Sequence, residues 1–159
     1  MQEKETTNRP QITDISDVPP AGRLVALDPG TKRIGVAVSD ELRVTVRPLR
    51  IIQRSSWKKL LSQVKDILAE FDAAALVIGL PYNFDGTESE MSAEARRLAE
   101  KFALSLDIPV FLQDERATTY EARGRLWNAG ADPKEMARVL DSEAAAIILA
   151  DFLDRVSQR

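Results

Sequence analysis

Asp28-Pro29-Gly30-Thr31-Lys32-Arg33 puts a carboxylate, a glycine turn and two cations within six residues. The run before it, Leu24-Val25-Ala26-Leu27, is continuously apolar, as a strand covered on both faces would be. A second β-rich run, Ile34 to Ser39, follows the turn. An acid at the tip of a central strand, beside such a turn, suits two chemistries. It can hold Mg²⁺ against a nucleic-acid backbone, or it can help cradle the phosphates of a nucleotide.

Two more acids fall at predicted element ends. Glu115 follows the last predicted strand, within Asp114-Glu115-Arg116, and Asp141 stands at the junction into the last predicted helix. Asp141 shares a helical face with Ala144, Ala145 and Ile148, a face that must pack on the sheet. With the first and last strands as neighbours, the three acids would converge at the carboxyl ends of the strands, where open α/β sheets place their sites. Three like charges at one point repel, and a divalent cation resolves that conflict. Two such ions about 4 Å apart can activate water and stabilise the leaving oxygen in phosphodiester cleavage. Each acid also has a plainer reading. Asp28 could cap a Pro-Gly turn, Glu115 could pair with Arg116 at the surface, and Asp141 could be a helix N-cap.

Composition removes other mechanisms. The 159 residues contain no Cys and no His, which excludes disulfides, zinc–thiolate sites, cysteine nucleophiles and Ser-His-Asp triads. Any metal must be held by oxygen, which favours Mg²⁺, Mn²⁺ or Ca²⁺. Hydrophobic residues make up 44% of the chain, enough for one domain with a core, and no apolar run reaches the roughly 18 residues of a membrane span. The polar, proline-containing residues 1–20 read as a disordered lead-in rather than a signal peptide. One domain over 21–159 and a cytoplasmic location are therefore expected. Net charge is only −3, yet eight basic residues lie between Lys32 and Lys59, opposed there by Asp40 and Glu41 alone. That run is either a solvated face or a phosphate-contacting surface.

The elements that must position these groups follow from periodicity. A third strand is expected over 44–52, with Pro48 at an edge or a bulge. Trp57, Leu60, Leu61, Val64, Leu68 and Phe71 predict a helix over 56–71. Residues 74–80 form a short apolar strand stopped by Pro81. Thr87 with Glu90 reads as a capping box opening a helix towards Leu106, with Met91, Ala95, Leu98, Phe102 and Leu106 on its apolar face. A last strand covers 109–113. Thr118 with Glu121 opens a helix ending near 130, Asp132-Pro133 starts another, and a final helix spans about 142–156. The order predicts an α/β fold: a mixed sheet with helices on both faces.

Four blocks together resemble the YqgF/RuvX family, nucleases of the ribonuclease H-like superfamily labelled as Holliday-junction resolvases and as pre-16S ribosomal RNA processing enzymes. They are Leu27 to Ala37, then Gly79-Leu80-Pro81-Tyr82-Asn83-Phe84-Asp85-Gly86, then Asp114-Glu115-Arg116-Ala117-Thr118-Thr119, then Asp141-Ser142-Glu143-Ala144-Ala145. The resemblance covers about residues 23–156. It implies a ribonuclease H-like fold with a five-stranded mixed sheet, and a nuclease dependent on Mg²⁺ or Mn²⁺. Asp28, Glu115 and Asp141 match the acidic metal-binding positions. Arg116 and Thr118 match their motif neighbours, while Gly30, Lys32, Arg33 and Asn83 lie on loops expected to face substrate.

The implied substrate is precursor 16S ribosomal RNA, trimmed at its 5′ end. Branched DNA cut as a Holliday junction is the alternative, and a non-cleaving RNA-binding assembly factor a third. A monomer or weak homodimer is expected, since no heptad or apolar patch announces a dimer. Asp-x-Gly-Thr before a hairpin also resembles the phosphate motif of actin-like ATPases and sugar kinases. Those folds close over nucleotide with a second domain of similar size, for which this length leaves no room.

Overall fold

A computed structural model describes residues 12–81, 87–115 and 133–158, with the side chains of 133–141 outside that description. Five strands form one sheet: β1 (Leu24–Pro29), β2 (Arg33–Ser39), β3 (Val46–Gln53), β4 (Ala75–Pro81) and β5 (Val110–Glu115). Their order across the sheet is β3-β2-β1-β4-β5. The β1–β2 and β2–β3 pairs are antiparallel, whereas β1–β4 and β4–β5 are parallel. This is the five-stranded mixed sheet expected from the sequence, with helices on both faces. One correction concerns adjacency: β4 separates β1 from β5, so the first and last strands are not neighbours. Pro48 falls on the edge strand at a register shift opposite Val36 and Ala37, the kind of position a residue without an N–H can occupy.

Strand alternation divides the core in two. Val25, Leu27, Leu76, Ile78 and Val110 face one side, against Leu60, Val64 and Ile67 of α1 (Trp57–Glu70) and Leu98, Ala99 and Phe102 of α2 (Glu90–Ser105). Leu24, Ala26, Ala75, Val77 and Phe111 face the other, against Ala145, Ile148, Leu149 and Phe152 of α3 (Pro133–Ser157). No helix among the described residues is long and apolar enough to cross a membrane.

Three local expectations change. The helix α2 starts at Glu90, capped by Ser89 with Ser92 as its reciprocal partner, rather than from a Thr87–Glu90 box. Ser92 wins because its buried hydroxyl also donates to the carbonyl of Pro81, fixing the helix start against the end of β4. Met91, predicted on the apolar face, is 41% exposed. Finally, one helix runs unbroken from Pro133 to Ser157 where two were expected, because no Gly or Pro interrupts the backbone between those ends. The helix predicted from Thr118 falls outside the described residues.

The lead-in over 12–20 is ordered rather than disordered. Ile12, Ile15 and Val18 recur every third residue and pack against the two cores, and the Thr13 amide donates to the Val110 carbonyl at 2.9 Å. The Arg43 guanidinium then donates to the carbonyls of Pro19 (2.6 Å) and Gly22 (2.8 Å). Nearby, the buried Ser39 hydroxyl accepts from the Leu24 amide at 2.9 Å. A Ser39→Ala protein should lose about 1–3 kcal/mol, measured by urea unfolding, because that N–H is left without its acceptor.

Candidate active site

The parallel strands β1, β4 and β5 all end on one edge of the sheet. Leu27 pairs with Ile78, and Ile78 with Leu112, so Asp28 stands one residue beyond that row and Glu115 three beyond it, opposite Pro81. Two strand spacings, roughly 10 Å, separate their backbones across β4. Alternation decides which face they share. Leu24 and Ala26 face α3, so Asp28 does too; Phe111 faces α3, so Gln113 and Glu115 follow. Arg155 of α3 confirms the phase by donating to the Gln113 side-chain oxygen at 2.7 Å. Both acids are half-buried.

Gly79 occupies the strand between them. A Cβ there would stand 2.4 Å from Cδ1 of Ile148, so the absent side chain lets α3 lie directly on β4. That contact also gives the direction of α3. Phe152 packs against Phe111 at a tilt, with ring centres 5.3 Å apart, near the start of β5, and Ile148 lies over Gly79, near the end of β4. The helix therefore advances towards the carboxyl edge as its numbering falls. Asp141 is two turns before Ile148, about 10 Å further along. Helical spacing puts its position in register with Ala144, Ala145, Ile148 and Phe152, which are buried. It is eight residues inside the helix, neither a junction residue nor an N-cap as expected. Its side chain lies outside the described residues, and among those described no three acids group closely enough to hold a metal ion.

A cleft of about 300 Å³ opens at the Asp28 end, lined by Asp28, Gly30, Thr31, Lys32, Arg33, Pro81 and Met91. The fold thus collects the first motif and the end of β4 around one space. Lys32 is exposed and Arg33 half-buried, so cationic side chains flank the carboxylate. Asn83, Arg116 and Thr118 lie outside the described residues.

Gly30 is required by the turn itself. Its amide donates to the Arg33 carbonyl at 2.9 Å, and a Cβ would stand 2.5 Å from that same oxygen. Backbone cannot move aside as a side-chain tip can. Gly30→Ala should open the turn, displace Lys32 and Arg33, and cost about 1–3 kcal/mol. A thermal melt beside an activity assay would show both losses, and an unchanged melt would remove the steric argument.

The basic run between Lys32 and Lys59 divides. Arg43 holds backbone carbonyls, Arg50 pairs with Glu70 at 3.0 Å, and Arg47 lies over the Phe71 ring. Arg54 donates to the Gly30 carbonyl at 2.8 Å and to Glu94 at 2.5 Å. Sequence reading missed Arg54, Glu94 and Ser92 as supports of the cleft. Their partners are 11 to 40 residues away in the chain, and no local pattern announces such contacts.

Comparison with known proteins adds the following. A family model described as "RuvX: Holliday junction resolvase" matches residues 22–155. A protein of Anaeromyxobacter sp. (strain Fw109-5) with the name "Putative pre-16S rRNA nuclease" is 39% identical over 132 residues, 83% of this chain and 96% of its own. A protein of the same name from Syntrophus aciditrophicus (strain SB) is 38% identical over 136 residues, 86% and 91% of the two chains. Among solved structures, Thermus thermophilus RuvC in complex with a Holliday junction substrate matches with a TM-score of 0.46 at 17% identity, covering 84% of this chain and 95% of that one.

Proposed function

The chain belongs to the RuvX family, and on that premise we propose that it is a divalent-metal-dependent nuclease that processes the 5′ end of precursor 16S ribosomal RNA. The observation that carries the reading is the placement of Asp28 and Glu115 on one face at one edge of the sheet, beside a cleft flanked by Lys32 and Arg33. Relatives named for pre-16S ribosomal RNA, aligned over most of both chains, favour RNA over DNA.

The donor set fits a hard cation. Asp28, Glu115 and Asp141 offer only oxygen, and the chain has no His or Cys to compete. We assign Mg²⁺ or Mn²⁺ to these three carboxylates. Such an ion supplies Lewis acidity to the phosphodiester and lowers the pKa of water beside it. The protein's own groups do the rest. Lys32 and Arg33 neutralise the phosphates flanking the scissile bond, and the Gly30 turn holds them at a set distance from Asp28. Asn83, Arg116 and Thr118 complete the substrate-facing set by their motif positions. The whole of 21–159 acts as one nuclease domain, in the cytoplasm, as a monomer or weak homodimer.

The test is a cleavage assay with Mg²⁺ or Mn²⁺ on a precursor carrying the 5′ leader, beside a four-way DNA junction. RNA trimming that vanishes in Asp28→Asn supports the reading. Paired, symmetric DNA nicks with the RNA left intact would replace it with junction resolution. Binding of RNA without cleavage would leave an assembly factor.

A further inference from the structure

Arg54 touches the Asp28 turn at two points and α2 at a third. Its backbone amide donates to the Lys32 carbonyl at 2.9 Å, its Nη1 to the Gly30 carbonyl at 2.8 Å, and its Nη2 to Glu94 Oε1 at 2.5 Å. The arginine side chain is only 22% exposed, against 43% for Arg50 in the Arg50–Glu70 pair, which touches nothing in the cleft. The planar guanidinium is suited to this task, because it presents separate donors to two acceptors in a fixed fork.

The geometry points to the Arg54–Glu94 pair as a strap that positions the Asp28–Arg33 turn for catalysis. It rests on the nuclease reading above and adds to it two residues that touch no substrate. The first turns of α2 are joined to both walls of the cleft. Ser92 binds the Pro81 carbonyl at the end of β4, and Glu94 reaches the opposite wall through Arg54. Met91, between them, lines the space itself. Glu94 thereby turns Arg54 away from the work its charge suggests. Engaged by a carboxylate and a carbonyl, Arg54 sets where Lys32 and Arg33 stand instead of binding phosphate itself.

Two measurements on Arg54→Ala, Arg54→Lys, Glu94→Ala and Glu94→Gln test this. The first is hydrogen exchange at the Gly30 amide, with Val77 of β4 as the core reference. In Arg54→Ala, Gly30 should exchange about tenfold faster while Val77 keeps its protection, since the turn loses the bond to its carbonyl. The second is steady-state cleavage of the RNA precursor. A displaced turn should lower kcat by about 100-fold in Arg54→Ala with KM nearly unchanged. Arg54→Lys should fall between it and the wild type, and Glu94→Gln, which keeps an acceptor, should outperform Glu94→Ala.

Unchanged Gly30 exchange in Arg54→Ala would overturn the strap. So would a raised KM with normal kcat in that variant, or tighter RNA binding in Glu94→Ala, because both mark Arg54 as a phosphate contact. A wild-type protein that cuts no RNA would refute the nuclease reading instead, and Gly30 exchange alone would then decide whether the strap exists.

Discussion

Asp28→Asn is expected to lower RNA cleavage by about a thousandfold or more while leaving the fold intact. The substitution keeps the size and shape of the side chain and removes only its charge. In the folded protein Asp28 is a half-buried residue whose backbone pairs with Gly35 of β2, a pairing that the isosteric amide keeps. Under the proposed function, what depends on the carboxylate is cation binding, because a neutral amide cannot balance a divalent charge held by oxygen alone. The comparison is single-turnover cleavage at several Mg²⁺ concentrations, with a thermal melt of both proteins. Activity within tenfold of wild type at every Mg²⁺ concentration would remove Asp28 from the catalytic role. A large fall in melting temperature would make the loss structural.

Phe152→Ala should be the most destabilising of the substitutions considered. The ring is fully buried beneath α3, against Phe111 of β5, and it belongs to the core that holds this helix on the sheet. Truncation leaves a cavity that neighbours in strands cannot collapse into, at a cost of about 3–5 kcal/mol. For a domain of this size the melting temperature should drop by about 10 °C. Under the proposed function, activity should fall in the surviving folded protein as well, since Asp141 is carried by the same helix about three turns away. Urea unfolding with cleavage assayed well below the midpoint separates the two effects. A loss of less than 1 kcal/mol would show that α3 is not anchored through this ring.

Much of the architecture was legible because it depends on local rules. Continuous apolar runs marked β1 and β4 as strands covered on both faces, and both are buried in that way. Period 3.6 placed α1 to within a residue, with Ser56 capping it. Pro48 was assigned to an edge or bulge because proline cannot donate, and it occupies both. Residues 12–20 depart from the expected disorder because composition averages over a segment, while three apolar residues at the right spacing are enough to dock them. The α3 boundary differs from the expectation because Asp141 has the residue type of an N-cap, whereas no Gly or Pro interrupts the backbone there.

The amino-acid sequence by itself determined the donor chemistry, the strand runs and the family: oxygen ligands only, an acid at the end of β1, four motif blocks in order. Those are properties of residue type and short-range periodicity. Tertiary structure alone decided that β4 lies between the acid-bearing strands, that Gly79 admits Ile148 so α3 can lie on the sheet, and that Arg54 braces the Asp28 turn through Glu94. Each of these joins residues tens of positions apart. Such contacts are selected by the packing of whole elements, and no periodicity within a single element encodes them.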